Sequence, residues 1–202
     1  MFLSRLFPAC LVKTNLMNYS NYIVLIAGIS VIIEWLYYMK RKDNRKERSK
    51  INKRQQIFVV IAFILSLFLC YLLKGLDPTA VKTVDMVGLL FITHGTLIRG
   101  WTYHLIKANR REGSLSSQGF PLLSHGPYRF HRHPFHVGIF LTVVGCGFII
   151  SHHWLAFPLI FILLGSALHP VMKEEELQLQ IKYGEIYPYW CKRRFRLLPF
   201  VY

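Results

Sequence analysis

Five apolar runs, at 22–39, 57–73, 84–101, 135–150 and 155–168, set what this chain can fold into. Inside hydrocarbon no water is at hand for backbone N–H and C=O groups, so runs of this kind must be helices that close their hydrogen bonds internally. The expected fold class is therefore all-α: an integral membrane helical bundle of about five transmembrane segments with a C-terminal cytosolic helix and tail. The last two runs are short and joined only by Ser151-His152-His153-Trp154, which predicts a tilted antiparallel hairpin reaching incompletely across the bilayer. Composition agrees, since 53% of residues are apolar and the mean hydropathy is +0.32. Residues 1–83 form the N-terminal membrane segments with a basic cytoplasmic loop, and residues 84–202 form the membrane core.

Charge sets the orientation. The stretch from Lys40 to Arg54 carries nine Lys or Arg, Lys74 to Thr83 carries two, Thr102 to Pro134 carries five, the 151–154 turn none, and the tail from His169 six. By the positive-inside rule the N-terminus lies outside, and the basic loop, the His-rich linker and the tail lie in the cytoplasm. This predicts an integral, multi-pass protein. The net charge of +15 is split into blocks between apolar runs, so it offers no continuous face for nucleic acid. The 40–54 run reads as a solvated loop that touches anionic lipid. Residues 1–13, interrupted by Pro8, read as an interfacial entry helix rather than a signal peptide. Cys10, Cys70, Cys146 and Cys191 show no CxxC spacing and read as packing residues. Gly145 and Gly147 lie in an apolar run with no preceding strand, which predicts close helix packing rather than dinucleotide binding.

Chemistry concentrates at the border of the fourth run. Gly126-Pro127-Tyr128-Arg129-Phe130-His131-Arg132-His133-Pro134 sets two Arg and two His beside a membrane segment, and Glu174-Glu175-Glu176 follows the fifth run. Ionised groups in hydrocarbon cost several kcal/mol, so charges at two adjacent borders are expected to face each other or a polar ligand. Plainer roles exist for each: Arg129 and Arg132 as anchors to lipid phosphate, the acidic cluster as a helix start. His131, His133 and His136 lack an HExxH or Cys/His pairing, so no metal is expected. His94 and Arg99, inside the third run, either meet water and the surroundings of Trp101 or point at the pocket.

Four blocks in order, Gly126-Pro127-Tyr128-Arg129-Phe130-x-Arg132-His133-Pro134, a helical hairpin, Glu175-Glu176-x-x-Leu179-x-x-x-Tyr183-Gly184-x-x-Tyr187, and Arg196-x-x-Pro199, resemble the isoprenylcysteine carboxyl methyltransferase family of membrane enzymes over roughly residues 88–202. The resemblance implies a cytosol-facing pocket for S-adenosyl-L-methionine and a lipid-like methyl acceptor entering from the bilayer. Its cofactor-binding positions fall on Phe120, Pro121, Leu122, Leu123, Tyr128, His133, Pro134, Phe135, His136 and Glu175. His136 stands where the family usually has Tyr, which implies altered geometry with one hydrogen bond kept. Val171 stands where the prenylcysteine enzymes have Arg, so the usual carboxylate clamp is missing and another amphipathic lipid acceptor is expected. An arginine restored at position 171 is expected to raise prenylcysteine turnover.

The residue types suit that cofactor independently. Its amino-acid head, ribose and adenine need an ion-pairing group, hydroxyl acceptors and an aromatic wall, and Arg132, His133, Tyr128 and Glu175 supply them. Methyl transfer draws mainly on alignment and water exclusion, and an amine or phenol acceptor also needs a base, drawn from His133, His136 or Glu176. Arg132, His133 and Glu176 are the catalytic candidates. Two rival readings come from other classes. The tail from Tyr183-Gly184 to Tyr202 also looks like the end of sterol reductases, which bind a nicotinamide cofactor, but those proteins are longer and carry an Asp-Glu pair. A non-enzymatic membrane scaffold has no physical need for Tyr128, His133 and Glu175 together.

Overall fold

A computed structural model describes residues 21–37, 53–74, 81–113 and 122–197. The readings placed on residues 1–13, on 40–52, on Phe120 and Pro121, and on Pro199 lie outside these residues. Among the described residues six α-helices form, α1 (Asn21–Tyr37), α2 (Lys53–Leu72), α3 (Val81–Gly113), α4 (Pro134–Ser151), α5 (Ala156–Tyr183) and α6 (Ile186–Cys191), with a 3-10 turn at Gly126–Arg129 before α4. Among the described residues the only β-type pairing is one isolated parallel bridge between His131 and Phe195.

Three helices, α2, α4 and α5, are long and apolar enough to cross a membrane, and α1 is a shorter apolar helix. α3 is the longest at 33 residues, but Asp85, His94 and Arg99 interrupt its apolar surface. Large apolar side chains stand exposed along these helices, among them Ile26, Ile33, Ile61, Phe68, Leu90 and Ile162. Faces of that kind are not stable against water, and together with the helix lengths they suggest a membrane protein.

α4 is apolar all round and is enclosed by its neighbours, as a helix without a polar face must be. Its Phe140, Val143 and Val144 pack with Val59 and Phe63 of α2 and with Ile160, Leu164 and Leu168 of α5. Lipid tails are as apolar as these side chains, so in a bilayer the contact that matters is close approach. α3 and α4 achieve it through glycines seven residues apart on each helix. A Cβ at Gly145 would stand 2.5 Å from the carbonyl oxygen of Gly88, and one at Gly95 2.6 Å from that of Gly138. The expectation for Gly145 is thus met at the level of packing.

The hairpin forms as the apolar pattern predicts, but its second arm is longer. The apolar run ends at Leu168, whereas α5 continues through Pro170 to Tyr183. At 1.5 Å per residue, 28 residues span about 42 Å, beyond the ~30 Å of hydrocarbon. The last turns of α5, with Glu174, Glu175 and Glu176, therefore lie past the membrane-crossing part. At the opposite end α4 stops at His152, whose φ of 55° is left-handed and whose Nδ1 lies 2.6 Å from Asp85 Oδ1 on α3.

Candidate active site at the hairpin ends

Because α4 and α5 run antiparallel, the start of one meets the end of the other. Pro134 opens α4 at a position where its missing N–H costs nothing, and His133 precedes it as the N-cap. This fixes His133 over the last turns of α5. Its Nδ1 lies 3.2 Å from Glu175 Oε2 and its Nε2 3.3 Å from Glu176 Oε1. One turn along α4, His136 Nδ1 lies 3.9 Å from the same Glu175 oxygen. Both histidines are buried, and the His136 ring meets those of His133, Phe135 and Trp35 edge-on.

The two carboxylates have opposite surroundings. Glu176 takes two hydrogen bonds from Arg196, from Nε at 2.9 Å and from Nη2, and one from Arg132 at 3.4 Å. Burial alone raises a carboxyl, but the bonds from His133 and Arg196 win and hold Glu176 down at about 2. Glu175 faces the two imidazoles instead, and burial, with the negative charge of Glu176 beside it, pushes it up to about 8. Burial also lowers His133, against the pull of Glu176. One carboxyl is thus fixed in its charged form, and its neighbour holds a proton near neutrality.

Arg132 works on the protein itself. Its Nε donates to the Arg194 carbonyl at 3.0 Å and its Nη2 to the Cys191 carbonyl at 3.2 Å, so it ties the motif to the end of α6. The backbone adds two rungs, Arg132 N–H to the Phe195 carbonyl at 2.8 Å and Phe195 N–H to the Phe130 carbonyl at 2.9 Å. Arg194 returns the tie, donating from Nε to the Tyr128 carbonyl at 2.7 Å while its guanidinium lies over the Trp190 ring. Trp190 Nε1 in turn donates to the Leu123 carbonyl and to Ser124 Oγ. All three donor-bearing nitrogens of Arg132 are thus engaged by the protein, and Glu176 is held as an anion between His133, Arg132 and Arg196.

Of the cofactor-binding candidates, His133, Pro134, Phe135, His136 and Glu175 come together around one buried point. Tyr128 lies in the one-turn helix before them, its hydroxyl pushed up to about 12 by burial. Leu123 is tied to α6 by the Trp190 bond to its carbonyl, and Leu122 precedes it, half-buried. Val171 is fully buried in the apolar core, so an arginine there would enter the packing of α5. The sequence reading against a metal rested on spacing within 131–136. Space adds a residue from another helix: one ligand atom each from His133, His136 and Glu175 lies within 4.8 Å of the others.

Several residues at the site carried no clear signal in the sequence. Trp190 and Arg194 sit in an unremarkable polar tail, and Trp35 belongs to the first apolar run. The pair of buried Arg99 with half-exposed Glu34, Nη1 to Oε2 at 3.2 Å, could have been found as the opposite charges of two apolar runs. Arg99 also reaches Ser30 Oγ at 3.2 Å and so pins α1 to α3. His94 instead is exposed, beside an apolar groove with Leu90, Leu97 and Leu141. Compared with family models, with curated proteins and with solved structures, the chain matches none.

Proposed function

We propose that this chain is a multi-pass membrane methyltransferase that uses S-adenosyl-L-methionine to methylate an amphipathic lipid-like acceptor. The observation that carries the reading is the buried meeting of Glu175 with His133 and His136 at the end of a membrane-length hairpin, where both a water-soluble cofactor and a lipid can arrive. The donor set fits the cofactor: Glu175 for ribose hydroxyls or the ammonium, His133 and His136 for further hydrogen bonds, Tyr128, Pro134 and Phe135 for an apolar and aromatic wall. When bound, S-adenosylmethionine supplies an electrophilic methyl group on a sulfonium.

The protein's own part is alignment and exclusion of water, helped by the closed packing of α4 against α3 and α5. A carboxylate acceptor needs no base. An amine or phenol also needs a base, and the titratable groups gathered at the site, His133, His136 and Glu175, are the ones placed to take that proton. In this reading α1, α2, the first part of α3, α4 and α5 cross the membrane, and the site faces the cytoplasm with the basic loop.

The test is thermal unfolding of the purified chain in detergent with S-adenosylhomocysteine or NADPH. At a ligand concentration of about 100 Kd the stabilisation is ~2.7 kcal/mol, which raises the midpoint by roughly 5–10 °C for a chain of this size. A rise with S-adenosylhomocysteine alone is expected. A rise with NADPH alone would place the chain among nicotinamide-dependent reductases and end the methyltransferase reading.

A further inference from the structure

Two imidazoles and a carboxylate from two helix ends converge on one buried point, and a second carboxylate backs one of the rings. We propose that His133, His136 and Glu175 bind one divalent ion of the zinc class. Imidazole nitrogen and carboxylate oxygen are the donors such ions take, and three protein ligands leave a fourth position for water or a ligand heteroatom. Ligands at 2.0–2.2 Å from a tetrahedral ion stand about 3.3–3.5 Å apart. Glu175 Oε2 is 3.2 Å from His133 Nδ1 and 3.9 Å from His136 Nδ1, and the three ligand atoms all lie within 4.8 Å of one another, so the two rings and the carboxylate must draw together by up to about an ångström to close on an ion.

The second observation is the far side of His133. With Nδ1 turned to the shared point, its Nε2 lies 3.3 Å from Glu176 Oε1, which makes a carboxylate–histidine–metal relay of the kind that orients a ligating ring. Glu176 is in turn fixed by Arg132 and Arg196 and cannot swing in as a ligand. The rings of Trp35 and Phe135 against His136 wall the point with apolar surface. The His-only spacing weighed in the sequence missed this site because its third ligand lies 42 residues from His133. The ion uses the side chains assigned above to the cofactor, but the inference rests on their geometry and not on methyl transfer.

The test uses the full chain in detergent, stripped with a chelator and titrated with zinc by calorimetry. One ion per chain is expected. His136→Gln and Glu175→Gln should each weaken binding by more than the roughly 10- to 100-fold expected for the outer-shell change Glu176→Gln. Glu174→Gln, whose carboxylate partners Gln178 one turn away, should change nothing. Cobalt(II) added to the wild-type chain should give the intense visible bands of a four-coordinate site, a readout independent of whether the variants fold. No stoichiometric zinc uptake, weak six-coordinate cobalt bands, or uptake unaltered in His136→Gln overturns the proposal. S-adenosylhomocysteine binding on the same samples separates the two readings. Cofactor binding without zinc uptake sinks the metal site alone, and zinc uptake without cofactor binding sinks methyl transfer alone.

Discussion

Arg132→Lys separates a structural tie from a catalytic contact. The guanidinium makes three hydrogen bonds in three directions, to Arg194 O, Cys191 O and Glu176 Oε1. An ammonium keeps the charge but cannot reproduce that fork, so about two of the three are lost. Hydrogen bonds from a charged group contribute about 1.5–3 kcal/mol each, and 23% exposure of the side chain argues for the lower half of that range. The expected loss is ~3–4.5 kcal/mol, or a fall in unfolding midpoint of roughly 6–18 °C in detergent. The tail should loosen locally as well, with faster hydrogen exchange at the amides of Arg132 and Phe195 that form the two rungs. Cofactor affinity should fall with stability. If instead midpoint and exchange stay unchanged while S-adenosylhomocysteine binding disappears, Arg132 touches the ligand, and its assignment as a tie is wrong.

Two more outcomes follow from packing and charge. Gly145→Ala should destabilise by about 1–3 kcal/mol because its Cβ meets the Gly88 backbone at 2.5 Å, which outweighs the ~1 kcal/mol helix preference for alanine, whereas Gly165→Ala, with nothing within 4 Å, should stabilise; equal shifts in chemical denaturation would dismiss the glycine seam. In chelator-treated protein, Glu175 is raised in the fold, so its contribution to stability is complete below about pH 4.5 and is lost as pH climbs towards about 8, by up to roughly 2–4 kcal/mol. Glu176 is lowered and acts oppositely, losing its contribution as pH falls towards about 2. Glu175→Gln should flatten the decline of the midpoint between pH 5 and 8, and an unaltered slope would show that the carboxyl is not held protonated.

The hairpin and the meeting of His133 with Glu175 were legible because hydropathy marks where helices cross and charge marks where they stop. Spacing along the chain then fixed which borders meet. What hydropathy does not encode is a helix that leaves the membrane, and so α3 extends to Gly113 and α5 to Tyr183, past the apolar runs at 101 and 168. The roles of Arg132 and Glu176 were hidden for another reason. A buried arginine reads alike whether it holds a ligand or a backbone carbonyl, and only the position of residues 191–194 decides between them. His136 and Glu175 were brought to one pocket only by the resemblance, and the antiparallel return of α5 is what sets them 3.9 Å apart.

The tie between Arg132 and the tail also orders events during synthesis. Arg132 and its acceptor Arg194 are 62 residues apart, about 3–12 s of translation at 5–20 residues per second. Throughout that interval α4 and then α5 are being made while the guanidinium at their border lacks its carbonyl partners and Glu176 lacks Arg196. The border must stay wet during that time, since a bare arginine and two carboxylates cannot be drawn into lipid. The site therefore closes last, once the chain from Cys191 to Arg196 has emerged to supply the two carbonyls that hold Arg132 and the guanidinium that holds Glu176.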